Sequence, residues 1–256
     1  MDFTIKQYTQ LLTSLQDAGF FFKTFAQHLS EPIASKQLIL RHDVDLLPQN
    51  SLRFAKIQAE LGIKGSYYFR AVPESWDEGI IKEIASMGHE VGYHYETMDT
   101  AKGNVDLAYE QFCEHLENMR KLVEVKTICM HGSPRSKFDN KDIWEKYDYK
   151  KLGIIGEPYY DVDFDKVFYL TDTGRKWDGW KTSVRDKVPQ QEEWNRQGLV
   201  FHSTNDIIKA AENNKLPQYI MFTMHPQRWT DSKMKWFKEL VLQNAKNQVK
   251  KILIKK

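Results

Sequence analysis

An apolar segment followed by an amphipathic one recurs along this chain of 256 residues, and this alternation constrains the fold more than any other feature. Residues 37–45 are apolar until they turn polar at their carboxyl end, which predicts a buried strand with polar side chains where it stops. Helical periodicity follows over 51–61 until Gly62, and 65–70 predicts the next strand. Repeated strand-then-helix order is typical of a parallel sheet with helical crossovers, either a closed barrel or an open doubly wound sheet.

The same alternation continues to the end of the chain. Further strands are predicted at 90–94, 127–131, 166–171 and 218–225, and further helices at 5–18, 76–87, 104–123, 142–147, 205–213 and 233–250. Neither a Gly-x-Gly-x-x-Gly motif nor a P-loop follows the first strand, which argues against those kinds of nucleotide site. A barrel is favoured over an open sheet because polar clusters end several strands that are far apart in sequence, and a barrel gathers all strand ends at one face.

Composition excludes several classes of protein. With 41% hydrophobic residues the chain can bury a core, and 37 basic against 35 acidic residues give a net charge of +2, too little to hold nucleic acid or an anionic membrane by overall charge. Cys113 and Cys129 form no disulfide framework. The amino terminus shows no secretory signal and no segment has the ~20 apolar residues of a membrane span, so we expect a cytoplasmic protein.

Titratable side chains occur where the predicted strands end. Four strand ends supply them: Asp43 and Asp45, His94 and Glu96, His131, and His225. Residues two apart in a strand share a face, so the two aspartates lie close together and repel unless a divalent cation or a shared proton relieves the repulsion. Imidazoles with one or two carboxylates are the usual ligands of catalytic zinc. The sequence therefore predicts metal-assisted hydrolysis.

Three motifs in this order carry a family resemblance: Arg-His-Asp-Val-Asp at 41–45, Gly-His-Glu-Val-Gly-Tyr-His at 88–94 and Met-His-Pro at 224–226. They resemble the polysaccharide deacetylase superfamily, also called the NodB-homology or carbohydrate esterase family 4 group. The resemblance implies an α/β fold, a distorted (β/α) barrel of about seven parallel strands. It also implies a divalent cation, with zinc the expected ion, and a carbohydrate substrate. The second motif is the most specific, whereas the first shows Asp-Val-Asp where typical members have Asp-Asp-Gly.

The resemblance assigns roles to the motif residues. Asp43 matches the general base, and Asp45, or alternatively Asp43 itself, matches the carboxylate ligand. His94 matches the first histidine ligand, and His225 the later histidine that protonates the leaving group.

One ligand departs from the family pattern. Typical members have a second histidine four residues after the first, and this chain has Met98 there. Glu96 is one substitute and His131 is another. We favour His131 because neighbouring strand ends converge in a barrel and an imidazole keeps the ligand type.

Several further side chains are predicted around the site. Glu96, Arg135, Arg175 and Asp178 are expected to contact substrate or support the ligands, and residues 172–179 loosely resemble a family motif in which an acid orients a catalytic residue. Trp177, Trp180 and Trp229 are expected either to stack on a sugar or to pack in the core. His42 is out of phase with the aspartates, and His89 lies at a helix-to-strand turn, so both are expected to be structural.

These observations predict one domain over 1–256, with a helical extension at 1–36, the barrel at 37–226 and a carboxyl-terminal helix at 227–256. Its expected function is metal-dependent removal of an N- or O-acetyl group from a carbohydrate or sugar precursor. A metal-bound water is the nucleophile, Asp43 the base and His225 the acid. Two alternatives remain: a metal-free amide hydrolase of the same superfamily, and a catalytically silent carbohydrate-binding barrel. No nucleic-acid partner is expected.

Overall fold

One sheet of seven parallel strands forms the centre of the computed structural model, which describes residues 1–32, 35–132, 136–178 and 188–254. The strands are ordered β5-β4-β3-β2-β7-β6, and β1 pairs with the first residues of β2. Their bounds are β1 Phe21–Lys23, β2 Gln37–Val44, β3 Ser66–Phe69, β4 Glu90–Tyr95, β5 Ile128–Met130, β6 Phe168–Thr171 and β7 Tyr219–Met224. The predicted α/β class with about seven parallel strands is confirmed.

Helices precede the first strand, connect successive strands and follow the last one. They are α1 Ile5–Asp17, α2 Phe25–Ser30, α3 Pro48–Glu60, α4 Glu78–Ser86, α5 Thr97–Thr100, α6 Val105–Arg120, α7 Ile143–Lys146, α8 Pro158–Asp161, α9 Gln191–Arg196, α10 Thr204–Glu212 and α11 Lys233–Ile254. Short 3-10 turns cover Asn140–Asp142, Tyr149–Leu152 and Pro226–Arg228. Within the described part of the chain, no helix combines the length and the apolar character that crossing a bilayer requires.

Strand β2 organises the site because it is central and buried along its whole length. It pairs with β7 over residues 37–42 and with β3 over residues 41–44. In register, Val44 of β2 lies beside Phe69 of β3, which lies beside Tyr93 of β4. The carboxyl ends of these parallel strands therefore lie at one edge of the sheet, where residues following them can meet.

The sheet curls without closing. Among the described residues, the outer strands β5 and β6 do not pair with each other. The residues that follow β5 and β7, His131 and His225, nevertheless both lie within 4 Å of Asp45 after β2. This curvature corresponds to the distorted barrel that the sequence predicts.

The amino-terminal boundary of the barrel needs correction. Residues 1–36 were expected to form a helical extension, but β1 lies within them and joins the sheet through pairs such as Phe22 with Leu38. Helix α1 also contributes to the core through Tyr8 and Leu11, both fully buried. Three residues are too few to show the alternation of a strand in the sequence. Strand β1 is recognised only by its pairing with β2. At the other end, α11 begins at Lys233 rather than directly after residue 226.

An aromatic cluster packs beneath the site. Trp229 lies edge-on to Phe3, Tyr8 and Phe54, and Trp177 contacts Phe3 and Trp229. Both tryptophans are buried, so they pack in the core instead of offering a face to a sugar. Trp180 lies outside the described residues.

Candidate functional site

Three predicted metal ligands meet at the carboxyl edge of the sheet. Asp45 follows β2, His94 lies in β4 and His131 follows β5. Asp45 Oδ1 lies 3.6 Å from His94 Nε2 and 3.8 Å from His131 Nε2. The two imidazole rings are 5.1 Å apart between centroids and are inclined by 73°. One carboxylate oxygen and two imidazole nitrogens thus face one another.

In each imidazole, the nitrogen that does not face Asp45, Nδ1, lies within hydrogen-bond distance of an acceptor. His94 Nδ1 lies 2.9 Å from the carbonyl oxygen of Cys129, and His131 Nδ1 lies 2.7 Å from Glu96 Oε2. Each Nδ1–H donates to that acceptor, so each Nε2 directs its lone pair towards Asp45. Metal-bound histidines are usually oriented in this way by a carbonyl or a carboxylate.

Glu96 is the residue that fixes His131. Arg70 donates to both of its carboxylate oxygens, at 2.9 Å and 2.8 Å, and also to the carbonyl oxygen of Asp45 at 3.0 Å. Burial raises the pKa of Glu96, but His131 and Arg70 outweigh burial and lower the pKa to about 2. Burial lowers the pKa of His131, and Glu96 and Asp45 raise it above its usual value.

Of the two predicted substitutes for the missing histidine, His131 faces Asp45, whereas Glu96 supports His131. Met98, at the position of the family's second histidine, is buried in α5, and its N–H donates to Asn140 Oδ1. Met98 therefore packs in the core.

The residues fit a divalent cation. Asp45 Oδ1 is buried and has no hydrogen-bond partner among the described residues, while Gln227 Nε2 donates to Oδ2 at 3.0 Å. Burial raises the pKa of Asp45, but the neighbouring histidines lower it well below its usual value. Zinc bonds of ~2.0–2.2 Å in tetrahedral geometry place ligand atoms roughly 3.3 Å apart, close to the spacing seen here. A buried, ionised oxygen that faces two imidazole lone pairs is chemically matched to such an ion.

Asp43 is held by a different partner. Arg41, two residues earlier on the same face of β2, donates from Nε to Oδ1 at 2.7 Å and from Nη2 to Oδ2 at 2.6 Å. Burial raises the pKa of Asp43, but Arg41 and His94 outweigh burial and lower it. Its Oδ2 lies 3.7 Å from His94 Nε2. With both oxygens engaged by Arg41, Asp43 is less suited than Asp45 to be the carboxylate ligand and remains an ionised group beside the candidate metal centre.

His225 is oriented by a buried acid. Asp172, after β6, accepts from His225 Nδ1 at 2.6 Å, from Trp229 Nε1 at 2.7 Å and from Arg228 Nη1 at 3.1 Å. Burial and Arg228 lower the pKa of His225, but Asp172 and Asp45 raise it above its usual value. His225 Nε2 lies 3.9 Å from Asp45 Oδ2 and so points towards the same centre.

The structure places two of the predicted substrate contacts outside the cluster. The Arg175 guanidinium lies over the rings of Phe3 and Trp236, at 5.4 Å and 4.8 Å, and donates to the carbonyl oxygen of Trp236. It is buried in this packing and is not exposed to a ligand. Asp178 Oδ2 pairs with Nδ1 of the exposed His202 at 2.9 Å. Neither side chain joins the cluster.

The structure also shows what the sequence reasoning missed. Within residues 172–179 the acid that orients a histidine is Asp172, not Asp178. Arg41 was not singled out, although an arginine two residues before an aspartate on a strand is a signal for a same-face ion pair. Arg70 gave no such signal, because its partner Glu96 lies on another element. The predicted contact Arg135 lies outside the described residues.

His42 and His89 are structural, as expected. His42 Nδ1 donates to the carbonyl oxygen of Ser66 at 3.0 Å, and its Nε2 contacts Gln58 Nε2 at 2.9 Å and the Tyr8 hydroxyl at 3.2 Å. His89 accepts from the N–H of Gly65 and donates to a backbone carbonyl.

Comparison with known proteins gives distant similarities of fold. No family model matches the chain, and no curated protein sequence matches it. A solved CE4 family pseudoenzyme from Bacillus anthracis shares 14% identity at a TM-score of 0.45, over 83% of this chain and 62% of that one. The polysaccharide deacetylase from Bacillus cereus shares 12% identity at 0.43, over 83% and 89%. A peptidoglycan N-acetylglucosamine deacetylase shares 14% at 0.44, over 92% and 91%.

The chain spans less than two thirds of the pseudoenzyme's length. All three structures are named for the kind of protein that the motifs resemble. Their low identities and TM-scores below 0.5 leave the function to be argued from the atoms of the site.

Proposed function

We propose that this chain is a metal-dependent hydrolase that removes an N- or O-acetyl group from a carbohydrate or sugar precursor, and that its metal is zinc. One observation carries the proposal: the buried, unpartnered Asp45 Oδ1 faces Nε2 of His94 and of His131. Both imidazoles are fixed from behind, by the Cys129 carbonyl and by Glu96. Oriented imidazoles and a free carboxylate oxygen are the features of a catalytic zinc site with room for a further ligand.

A divalent cation held by Asp45, His94 and His131 would supply a Lewis acid, able to polarise an acyl carbonyl and to make water more acidic. Asp43 is ionised at neutral pH because Arg41 lowers its pKa against the effect of burial, so it can accept the proton of the attacking water. Arg41 also prevents the carboxylate from rotating, since it holds both oxygens.

His225 provides the proton that the leaving amine or alcohol needs. Asp172 accepts from its Nδ1–H and thereby directs Nε2 to the centre. Since the pKa of His225 is raised, its imidazolium form persists closer to neutral pH than that of a free histidine. Asp43 Oδ2 lies 3.7 Å from His94 Nε2, and His225 Nε2 lies 3.9 Å from Asp45 Oδ2. A base and an acid thus lie beside the candidate metal ligands, as hydrolysis of an acyl group requires.

A carbohydrate substrate is supported by the motifs at 41–45 and 88–94, which resemble those of sugar deacetylases. The test is acetate release from a panel of N- and O-acetylated sugars, using protein as purified, after chelation and after zinc is restored. We expect activity that chelation removes and zinc restores. His225→Ala should lower acetate release, and His202→Ala is its matched control, because His202 is exposed and its ring pairs with Asp178.

The same test separates the alternatives. Hydrolysis of amides that survives complete chelation would assign the chain to a metal-free reaction. Sugar binding without any acetate release would identify a silent binding barrel. Either result would refute the proposal.

A further inference from the structure

Helix α11 directs two amide side chains towards the body of the protein. Gln243 and Asn247 are only 5% and 6% exposed. Gln243 Nε2 donates to Asn247 Oδ1 at 3.0 Å, and Asn247 Nδ2 donates to the carbonyl oxygen of Gly174 at 2.9 Å. Trp236 and Leu240 lie on the same face and are half-buried, and Arg175 packs on the Trp236 ring. The helix is therefore docked on the body of the protein by amide hydrogen bonds together with these two apolar side chains.

The outward side of the same helix is apolar. Met234, Phe237, Val241 and Leu242 are 81%, 62%, 51% and 45% exposed. Their spacing of three, seven and eight residues from Met234 places them on one face of a helix. Neighbouring exposed apolar side chains of this size mark a surface that binds a protein, a membrane or another ligand.

Lysines accompany this apolar face. Lys233, Lys235, Lys238 and Lys246 are all exposed, whereas Glu239, the only acid in Lys233–Gln248, is partly buried. The near-neutral charge of the whole chain therefore conceals a local concentration of positive charge. A helix that combines an exposed apolar face with lysines is typical of one lying in the headgroup region of a bilayer.

We propose that α11 binds the surface of an anionic lipid bilayer, with Met234, Phe237, Val241 and Leu242 inserted among the lipids and the lysines against the headgroups. Charge decides between this partner and a second copy of the chain. Lys238 lies one helical turn from both Met234 and Leu242, within the apolar face. Symmetric pairing of two such faces would bring like charges together, whereas an anionic surface neutralises them.

The attachment of α11 links this surface to the candidate active site. Arg175 donates to the carbonyl oxygen of Trp236 at 2.9 Å, and Gly174 accepts from Asn247. Both belong to the loop that begins at Asp172, the acid that orients His225. Bilayer binding through α11 would hold this edge of the sheet beside the membrane. The proposal does not depend on the chemistry assigned to the site.

The experiment is flotation of the full chain with vesicles of phosphatidylcholine alone and of phosphatidylcholine mixed with phosphatidylglycerol. We expect binding only to the anionic vesicles, weakened by added salt. Lys235→Glu and Lys238→Glu should each reduce the partition coefficient at least roughly fivefold, the effect of one lysine near an anionic surface. The double variant Phe237→Asp with Val241→Asp should reduce it by at least roughly tenfold, because it removes the inserted side chains.

Two exposed residues of the α6 region serve as matched controls. Leu107→Asp removes an exposed apolar side chain and Lys121→Glu reverses an exposed positive charge, both away from α11, so vesicle binding should be unchanged. Circular dichroism and thermal unfolding check that each variant folds. If an α11 variant does not fold, the dependence of wild-type binding on lipid charge and salt still decides the question.

Two results would overturn the proposal. One is failure of the wild-type chain to bind anionic vesicles, or equal loss of binding in the control variants. The other is a dimer seen by light scattering that Phe237→Asp dissociates, which would assign the face to a second copy of the chain.

Discussion

Two clusters of buried polar side chains lie on opposite faces of β2, and they differ in which atoms lack hydrogen-bond partners. The His42 cluster contains Tyr8, His42, Gln58, Tyr67 and His89, and both ring nitrogens of each histidine in it have a partner. Its buried atoms without a hydrogen-bond partner, Gln58 Oε1 and the Tyr67 hydroxyl, are uncharged. The metal-site cluster consists of Asp45, His94 and His131, in which Asp45 Oδ1 lies 3.6 Å and 3.8 Å from the Nε2 atoms of the two imidazoles. Because neighbours on a strand alternate in direction, His42 and Asp43 belong to different sides.

The clusters also differ in charge. Burial lowers the pKa of His42 to about 3, so it is neutral at physiological pH. Carboxylates raise the pKa of His131 and of His225 in spite of burial. A buried histidine is therefore not in itself a sign of function. The sign is a set of buried atoms without partners that converge on one point beside charged groups.

The largest expected difference is in turnover, between the His42 cluster and His225, whose Nε2 lies 3.9 Å from Asp45 of the metal-site cluster. His225→Ala should lower turnover by roughly 10²–10⁴-fold, the usual contribution of a general acid. His42→Asn should leave turnover per folded molecule within a few-fold of wild type, because the hydrogen-bond partners of its ring, Tyr8, Gln58 and the Ser66 carbonyl, are not part of the metal-site cluster. Steady-state acetate release, normalised to folded protein, measures both. Equal losses in the two variants would remove the functional distinction between the clusters.

Asp172→Asn should have the next largest effect, roughly a 10²-fold fall in turnover, because it removes the acceptor that directs His225. It should also change the pH profile. Asp172 raises the pKa of His225, so its loss lowers that pKa, and the proton donor is lost at lower pH. The alkaline limb of the rate profile should then move to lower pH. An unchanged alkaline limb would show that His225 is not the acid.

Glu96→Gln tests the support of His131 and should weaken metal binding by roughly 10–100-fold, the usual effect of changing a residue that orients a ligand. Asp178→Asn is the matched control, since Asp178 pairs with the exposed His202 and should not affect metal affinity. Competition with a chromogenic chelator measures the two affinities. Similar affinities in both variants would show that Glu96 does not orient a ligand.

The smallest expected effect is a change in the free energy of unfolding caused by His42. The folded pKa of His42, about 3, lies below the ordinary value of 6.5 expected in the unfolded chain. Between these values the unfolded state binds more protons, so this histidine makes the protein less stable as pH falls, by at most about 1.4 kcal/mol per pH unit. Urea unfolding at several pH values between 7 and 4 measures the free energy of unfolding. This free energy should fall less steeply with falling pH in His42→Asn than in wild type. A His202→Asn control should keep the wild-type dependence of the free energy of unfolding on pH.

The comparison also explains what the sequence could predict. The spacing of apolar residues within a single segment predicted the main strands and helices. The alternation of side chains along β2 predicted that His42 and Asp43 face opposite sides of the sheet. Partnerships between distant elements were not accessible in this way: Asp172 and His225 are 53 residues apart, and Glu96 and His131 are 35 apart. The partners of Arg175 and Asp178 were not accessible for the same reason, since an arginine or aspartate in a loop carries no signal for the neighbours that tertiary packing gives it. Strand β1 was missed because its pairing with β2 defines it.

The most direct test of the account is the metal content of the chain after dialysis, measured by inductively coupled plasma mass spectrometry. Wild type and His42→Asn are each predicted to retain about one divalent cation per chain, the content of a single site with three protein ligands. Asp45→Ala is predicted to retain almost none, because it removes the oxygen that faces both imidazoles. A wild-type protein that binds no divalent cation, or an Asp45→Ala variant that keeps its full metal content, would contradict the account.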